Sequence, residues 1–155
     1  MIQRIQSIYL LLTSLISIIF LKGVYLTFID ISGIHLNLTM KGLHKITENG
    51  ALEKIGVIWL ITIPGLVIPA LSIFTIFMFK RRDLQLILVR ILMLVVSAFL
   101  TASVIYIIYI NSGFDANLDS WYKLLVPVCQ FVLTILAFRG IKRDDDLVKS
   151  YDRLR

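Results

Sequence analysis

Few side chains in this 155-residue chain are of a type that does chemistry. His35, His44 and Glu48 fall close together, and Glu53 follows. Imidazoles and a carboxylate are the donor set of a zinc site or a proton-transferring pair. Their spacing fits no metal motif, and the alternation around His35 turns its ring away from the apolar side of its segment. Cys129 is the single cysteine, so no disulfide can form within the chain, and its expected role is that of a small packed residue. These residues predict no catalytic group, no metal and no cofactor.

The other groups of interest sit inside long apolar blocks, where polar side chains are costly and often functional. Arg90 is the one charge in Leu84–Ile110, about two turns from its start, where it can snorkel to the boundary. Gln130 lies near the middle of Leu124–Phe138 and is expected to hydrogen-bond across helices. The blocks Ile5–Leu21 and Ile55–Phe79 carry no charge. No Asp or Glu falls inside any of the four, which argues against proton- or cation-coupled transport. All three prolines do: Pro64 and Pro69 with Gly65 in "TIPGLVIPALS", and Pro127. Proline removes a backbone hydrogen bond and bends a helix, so the second block is expected to be kinked. Ser14 and Ser17 with Thr13, and Ala98 and Ala102 with Ser97 and Thr101, are small residues suited to close helix contacts.

These residues must be positioned by helices long enough for a bilayer. A hydrocarbon core of about 30 Å needs about 20 helical residues. The chain is 58% hydrophobic, with a mean hydropathy of +0.88, above the roughly 45–50% apolar content of soluble domains. The first block lacks a signal-peptidase-like exit ("IIFLKGVY") and reads as an uncleaved span, with Lys22 and Lys123 snorkelling at the block ends. The predicted fold is an all-α membrane protein. It is one four-transmembrane-helix domain with spans at about 5–25, 53–79, 84–110 and 121–138. "IHLNLTMKG" alternates with period two, and "YLTFIDI" is rich in β-branched and aromatic residues. Together they predict a small extracytoplasmic β-hairpin at 26–41. "KITENGALEKIG" then reads as a turn and a short helical lead into the second span.

Eleven of the sixteen Lys and Arg residues fall on the side that holds both termini and the middle loop. The positive-inside rule therefore predicts cytoplasmic termini. Tyr25, Trp59, Tyr106, Tyr109, Trp121 and Tyr122 fall near the opposite boundary, as one side of an interfacial aromatic belt. The net charge of +6 is thus topogenic and faces anionic lipid. No folded basic domain is available to present it to nucleic acid. The last segment, "KRDDDLVKSYDRLR", places Asp144–Asp146 as a helix start. Leu147, Val148, Tyr151 and Leu154 then form an apolar stripe, with Arg153 and Arg155 beside it. This predicts an amphipathic cytoplasmic tail helix at 144–155 that binds the inner leaflet or a partner.

"MIQRIQSIYLLL", "FKRRDLQLIL" and "RGIKRDDDLVKSYDRLR" resemble a family of small, uncharacterised four-span inner-membrane proteins from Bacteroidota, a domain of unknown function. The resemblance spans the chain and implies the bacterial inner membrane; it implies no activity and no catalytic residue. The topology is also similar to that of claudin-like proteins, an analogy of architecture only. The sequence points to a non-enzymatic accessory or scaffold subunit of an inner-membrane complex. Its expected partners are membrane lipids, other membrane subunits or a second copy of itself. The alternative is a lipid- or small-molecule-handling protein that uses the kinked second span.

Overall fold

A computed structural model of the protein describes residues 5–30, 35–39, 42–46, 52–56, 59–114 and 116–153. Four long helices dominate it: α1 Ile5–Lys22, α2 Trp59–Phe77, α3 Arg82–Phe114 and α4 Leu125–Arg153. Short 3-10 turns, Met78–Lys80 and Trp121–Leu124, precede α3 and α4. All four helices are long and apolar enough to cross a membrane, consistent with a multi-pass membrane protein. At 1.5 Å per residue α2 is about 28 Å long and α3 about 50 Å. The main helix contacts run α1 to α2, α2 to α3, α3 to α4 and α4 back to α1.

The outer faces of these helices are apolar, and a set of polar side chains is buried beside the aliphatic core. Thr13, Ser72, Thr75, Ser103, Gln85, Gln130 and Thr134 are buried, whereas Ile19, Phe77, Leu94 and Ile108 are each more than 60% exposed. Soluble domains bury their branched aliphatics and expose polar groups. The hydroxyls are satisfied locally or across a contact. Thr13 donates to Tyr9 O (2.9 Å) and Thr134 to Gln130 O (2.7 Å). Ser72 reaches from α2 to Leu10 O of α1 at 2.6 Å.

The predicted hairpin is present: β1 Val24–Ile29 pairs antiparallel with β2 His35–Thr39, with Leu26 opposite Leu38 and Phe28 opposite Leu36. Ile34, Met40 and Lys41 of the predicted strand lie outside the described residues. The pair belongs to a larger sheet than expected, five strands in the order β4-β3-β2-β1-β5. β3 Gly42–Ile46 follows, and the segment read as a turn and helical lead supplies its last two residues and β4 Leu52–Gly56. α2 accordingly begins at Trp59, six residues after the predicted start of the second span. The Lys, Glu and Ala content of that segment favours helix only weakly. An open β2 edge offers a ladder that overrides it. Gly42 opens β3 at φ 143°, a conformation few other residues adopt.

β5, Asn117–Leu118, joins the second loop to the sheet through Phe28 and Ile29. The clamp is reinforced by the Thr27 amide donating to Ser120 Oγ (2.8 Å) and the Asp119 amide donating to Thr27 O (3.0 Å). Lys123, expected to snorkel, donates from Nζ to Val24 O at 3.1 Å. Leu26, Phe28, Leu36, Leu38 and Leu43 are buried and join the same apolar core as the helices.

The tail is helical but is no separate element. α4 runs without a break from Leu125 to Arg153. Asp144–Asp146 therefore lie mid-helix and do not start one.

Candidate functional site

At the sheet, His44 is held within its own turn. Its Nδ1 lies 3.1 Å from Gly42 O and 3.2 Å from Thr39 Oγ1. His35 is exposed on β2. Glu48 lies outside the described residues, and Glu53 pairs in register with Lys45 on β3. No group of three His, Cys, Asp or Glu side chains that could hold a metal ion occurs among the described residues. Cys129 is exposed on α4, not packed as expected, because its face of the helix points away from the neighbouring helices.

Tyr25 is also placed differently from the sequence reading. It was expected in the interfacial belt, yet it is fully buried, stacked edge-on to Phe20 and tilted on Phe99. Its hydroxyl meets Ser103 Oγ at 2.7 Å, and Ser103 also reaches Phe99 O at 2.7 Å. This pair ties β1 to α3. Of the other belt residues, Trp59, Tyr109, Trp121 and Tyr122 are exposed, near the start of α2, the end of α3 and the turn before α4, and Tyr106 is half-buried. Burial pushes the Tyr25 phenol up to about 12, and the hydrogen bond to Ser103 opposes this by a smaller amount. A phenol whose proton is held more tightly in the folded state stabilises fully below the unfolded value of about 10, and loses that contribution as pH rises towards 12. The tyrosinate absorbance of the wild-type chain should therefore show one group titrating later than the rest, coincident with unfolding. Tyr25→Phe should remove that late step and cost about 1 kcal/mol at neutral pH through the lost hydrogen bond.

The packing residues singled out in the sequence divide. Ser14, Ser17, Gly65, Pro69, Ala102 and Gln130 are buried and Pro64 is half-buried, whereas Ala98 is exposed. Ala98 lies four residues before Ala102, but on this helix the inward face runs through Phe99, Ala102 and Ser103. Gln130 was expected to bond across helices. Its Oε1 is instead buried with no hydrogen-bond partner among the described residues, as is Oε1 of Gln85. Gln85 does donate from Nε2 to Thr75 O of α2 at 3.3 Å. Sequence reasoning missed Gln85, Gln6 and Ser103. Gln6 is buried where α4 comes closest to α1: a Cβ on Gly140 would lie 3.2 Å from Gln6 Cβ and Oε1. A larger side chain at Gly140 would force the two helices apart.

A cluster of charged side chains lies at the opposite end from the sheet, where the start of α3 meets the second half of α4. Ile141 and Asp145 remain buried there. Arg82 donates from Nη1 to Asp144 O at 3.2 Å. The guanidinium carbon of Arg90 stands 5.7 Å from the centre of the Phe138 ring, a cation–π distance. So Arg90 is not merely a snorkelling charge: it is held against α4. A cleft of about 370 Å³ opens beside it, lined by Asp83, Leu86, Ile87, Arg90, Lys142, Asp145 and Asp146. A shallower groove follows α4 past Arg139, Lys142, Arg143, Asp146, Leu147 and Ser150. Of the predicted tail stripe, Leu147 and Val148 are exposed on α4. Tyr151 and Arg153 lie on the last turn of its backbone, and Leu154 and Arg155 are outside the described residues.

No curated protein matches the chain. The family described as "Domain of unknown function (DUF4293)" matches residues 2–154. With its four apolar helices matched end to end together with the sheet and the charged foot, the chain belongs to the DUF4293 family, a domain of unknown function.

Proposed function

We propose that the chain is a multi-pass protein of the bacterial inner membrane, a four-helix bundle with both termini in the cytoplasm. We propose further that it serves as a non-enzymatic accessory or scaffold subunit of a membrane complex. The apolar outer faces of the four helices carry the membrane reading: large side chains such as Ile19, Phe77, Leu94 and Ile108 are exposed, while Thr13, Ser72, Thr75, Ser103 and Gln130 are buried. Aqueous solvent would penalise so much contiguous exposed apolar surface. The orientation is supported by where the basic residues fall: Arg81, Arg82, Arg139, Lys142 and Arg143 all lie at the foot end, the side the positive-inside rule makes cytoplasmic.

The scaffold reading is supported by the reach of α4. It continues about 22 Å beyond Phe138 at 1.5 Å per residue. Its last buried residue among those described is Asp145, and Leu147 and Val148 are presented beyond it. A reporter active only in the cytoplasm should work when fused after Arg155 and fail when inserted near Gly50. The reverse result would overturn the orientation. The functional reading is tested by what co-purifies with the chain in mild detergent and whether the exposed tail residues are needed for it.

A further inference from the structure

The foot cleft combines features that neither the scaffold reading nor the family match explains. Arg90 lies eight residues into α3, about 12 Å from its start, on a helix whose exposed apolar side chains there are Leu84, Ile87 and Ile91. A ligand that reaches its guanidinium must share space with that apolar face. Ile87 lines the cleft and is half exposed. The guanidinium lies within cation–π reach of Phe138 on the α4 side. Lys142 closes the cleft from α4. Two cations 52 residues apart in sequence thus line one opening together with the apolar side chains of Leu86 and Ile87.

The same opening carries carboxylates. Asp83 and Asp145 have partners within the protein, and Asp146 also lines the cleft. A purely anionic ligand would meet Arg90 and Lys142 but would also face Asp146. A ligand with a phosphate and an ammonium separated by a short linker matches both signs. The volume, about 370 Å³, lies at the small end of ligand clefts, which run from about 300 to 1,000 Å³. We propose that the α3–α4 cleft holds the headgroup of an amino-phospholipid of the ethanolamine class. Arg90 and Lys142 take its phosphate, Asp146 takes its ammonium, and the first acyl methylenes lie along Ile87. Guanidinium and ammonium donors form charge-assisted bonds with phosphate oxygens. The primary ammonium distinguishes this lipid from a choline headgroup, whose nitrogen has no N–H to donate.

The proposal rests on the membrane reading, and the two are tested separately. If the chain is released from membranes by an alkaline wash, the membrane reading fails. If it stays, the site is tested on the full chain purified and reconstituted in phosphatidylcholine nanodiscs. These carry equal minor fractions of phosphatidylethanolamine and phosphatidylglycerol, and bound lipid is identified by native mass spectrometry. The wild-type chain should retain phosphatidylethanolamine about tenfold over either other lipid, the size of one modest charge-assisted hydrogen bond. Arg90→Gln with Lys142→Gln should abolish the retention, and Asp146→Asn should remove the preference over phosphatidylglycerol. Arg139→Gln with Arg143→Gln makes the same charge change on the neighbouring groove and should have no effect. If the double variant unfolds for want of the Arg90–Phe138 contact, exposed Lys142→Gln alone carries the test and should reduce retention several-fold. Soluble glycerophosphoethanolamine should not compete. Preference for phosphatidylglycerol in the wild type, unchanged retention in the variants, or competition by the soluble headgroup would each overturn the assignment.

Discussion

Leu38→Asp is expected to unfold the sheet and with it the packing of α1 and α3, while Asn37→Asp one residue away is expected to leave the protein intact. Leu38 is fully buried, opposite Leu26 on β1 and Leu43 on β3. Successive residues of a strand face opposite sides, and Asn37 accordingly is half-buried on the other face, between Thr27 and His44. Losing the leucine's burial costs about 2–5 kcal/mol, as core truncations do. Placing an unpaired carboxyl among Leu26, Phe28 and Leu43 adds at least about 1–3 kcal/mol. The sum is comparable to a typical total stability of about 5–15 kcal/mol, so the variant should be poorly recovered or fail to give a cooperative melt in detergent. Asn37→Asp should stay within about 0.5 kcal/mol of wild type. Because Tyr25 on β1 bonds Ser103 on α3, loss of the sheet should also release the late-titrating tyrosine. Equal damage at positions 36, 37 and 38 would mean that this strand has no buried face.

The helices and the first hairpin were legible because each rests on a local pattern. Long apolar runs without strand-like alternation point to helices, and Leu36 and Leu38 alternate with Asn37 and Thr39 in a strand's period. β3 and β4 were not legible, because the reason they are strands is not local. Their segment has few β-branched residues, and it pairs because β2 offers a free edge. β5 is two residues long and carries no periodic signal. The tail was read correctly as helix and wrongly as separate. Three aspartates look like a helix start, but α4 continues through Gly140 into them without a break. The candidate site was only half legible. Arg90 announced itself as a charge in an apolar block, yet its neighbours Phe138 and Lys142 are brought to it by the packing of α3 on α4, which sequence spacing does not encode. Tyr25 was misplaced for the same reason: the belt assignment follows position along the chain, and Ser103 was the partner that drew it inward.

The second large effect concerns the end of α4. Ile141 and Asp145 anchor the extension to the rest of the molecule, as does the bond from Arg82 to Asp144 O. Leu147 and Val148 are exposed beyond that anchor, so substituting them leaves the internal contacts alone. Fully burying one such side chain against a partner is worth about 1.5–3 kcal/mol. Leu147→Asp with Val148→Asp should therefore weaken partner binding by roughly 10²- to 10⁴-fold with the melting temperature unchanged. That loss should persist at high salt, because it is apolar in origin. Arg153→Glu with Arg155→Glu should act differently. Basic residues near an anionic surface contribute about 1 kcal/mol each, screened over roughly 8 Å at physiological ionic strength, so this pair should matter at low salt and little at high salt. Ile141→Asp serves as the contrast: it strikes the anchor and should lower stability itself. Orientation should survive deletion of Leu147–Arg155, since Lys80–Arg82, Arg139, Lys142 and Arg143 remain. If the deleted chain keeps its level, its co-purifying proteins and its cellular role, then the end of α4 only fixes topology and the scaffold reading loses its contact surface.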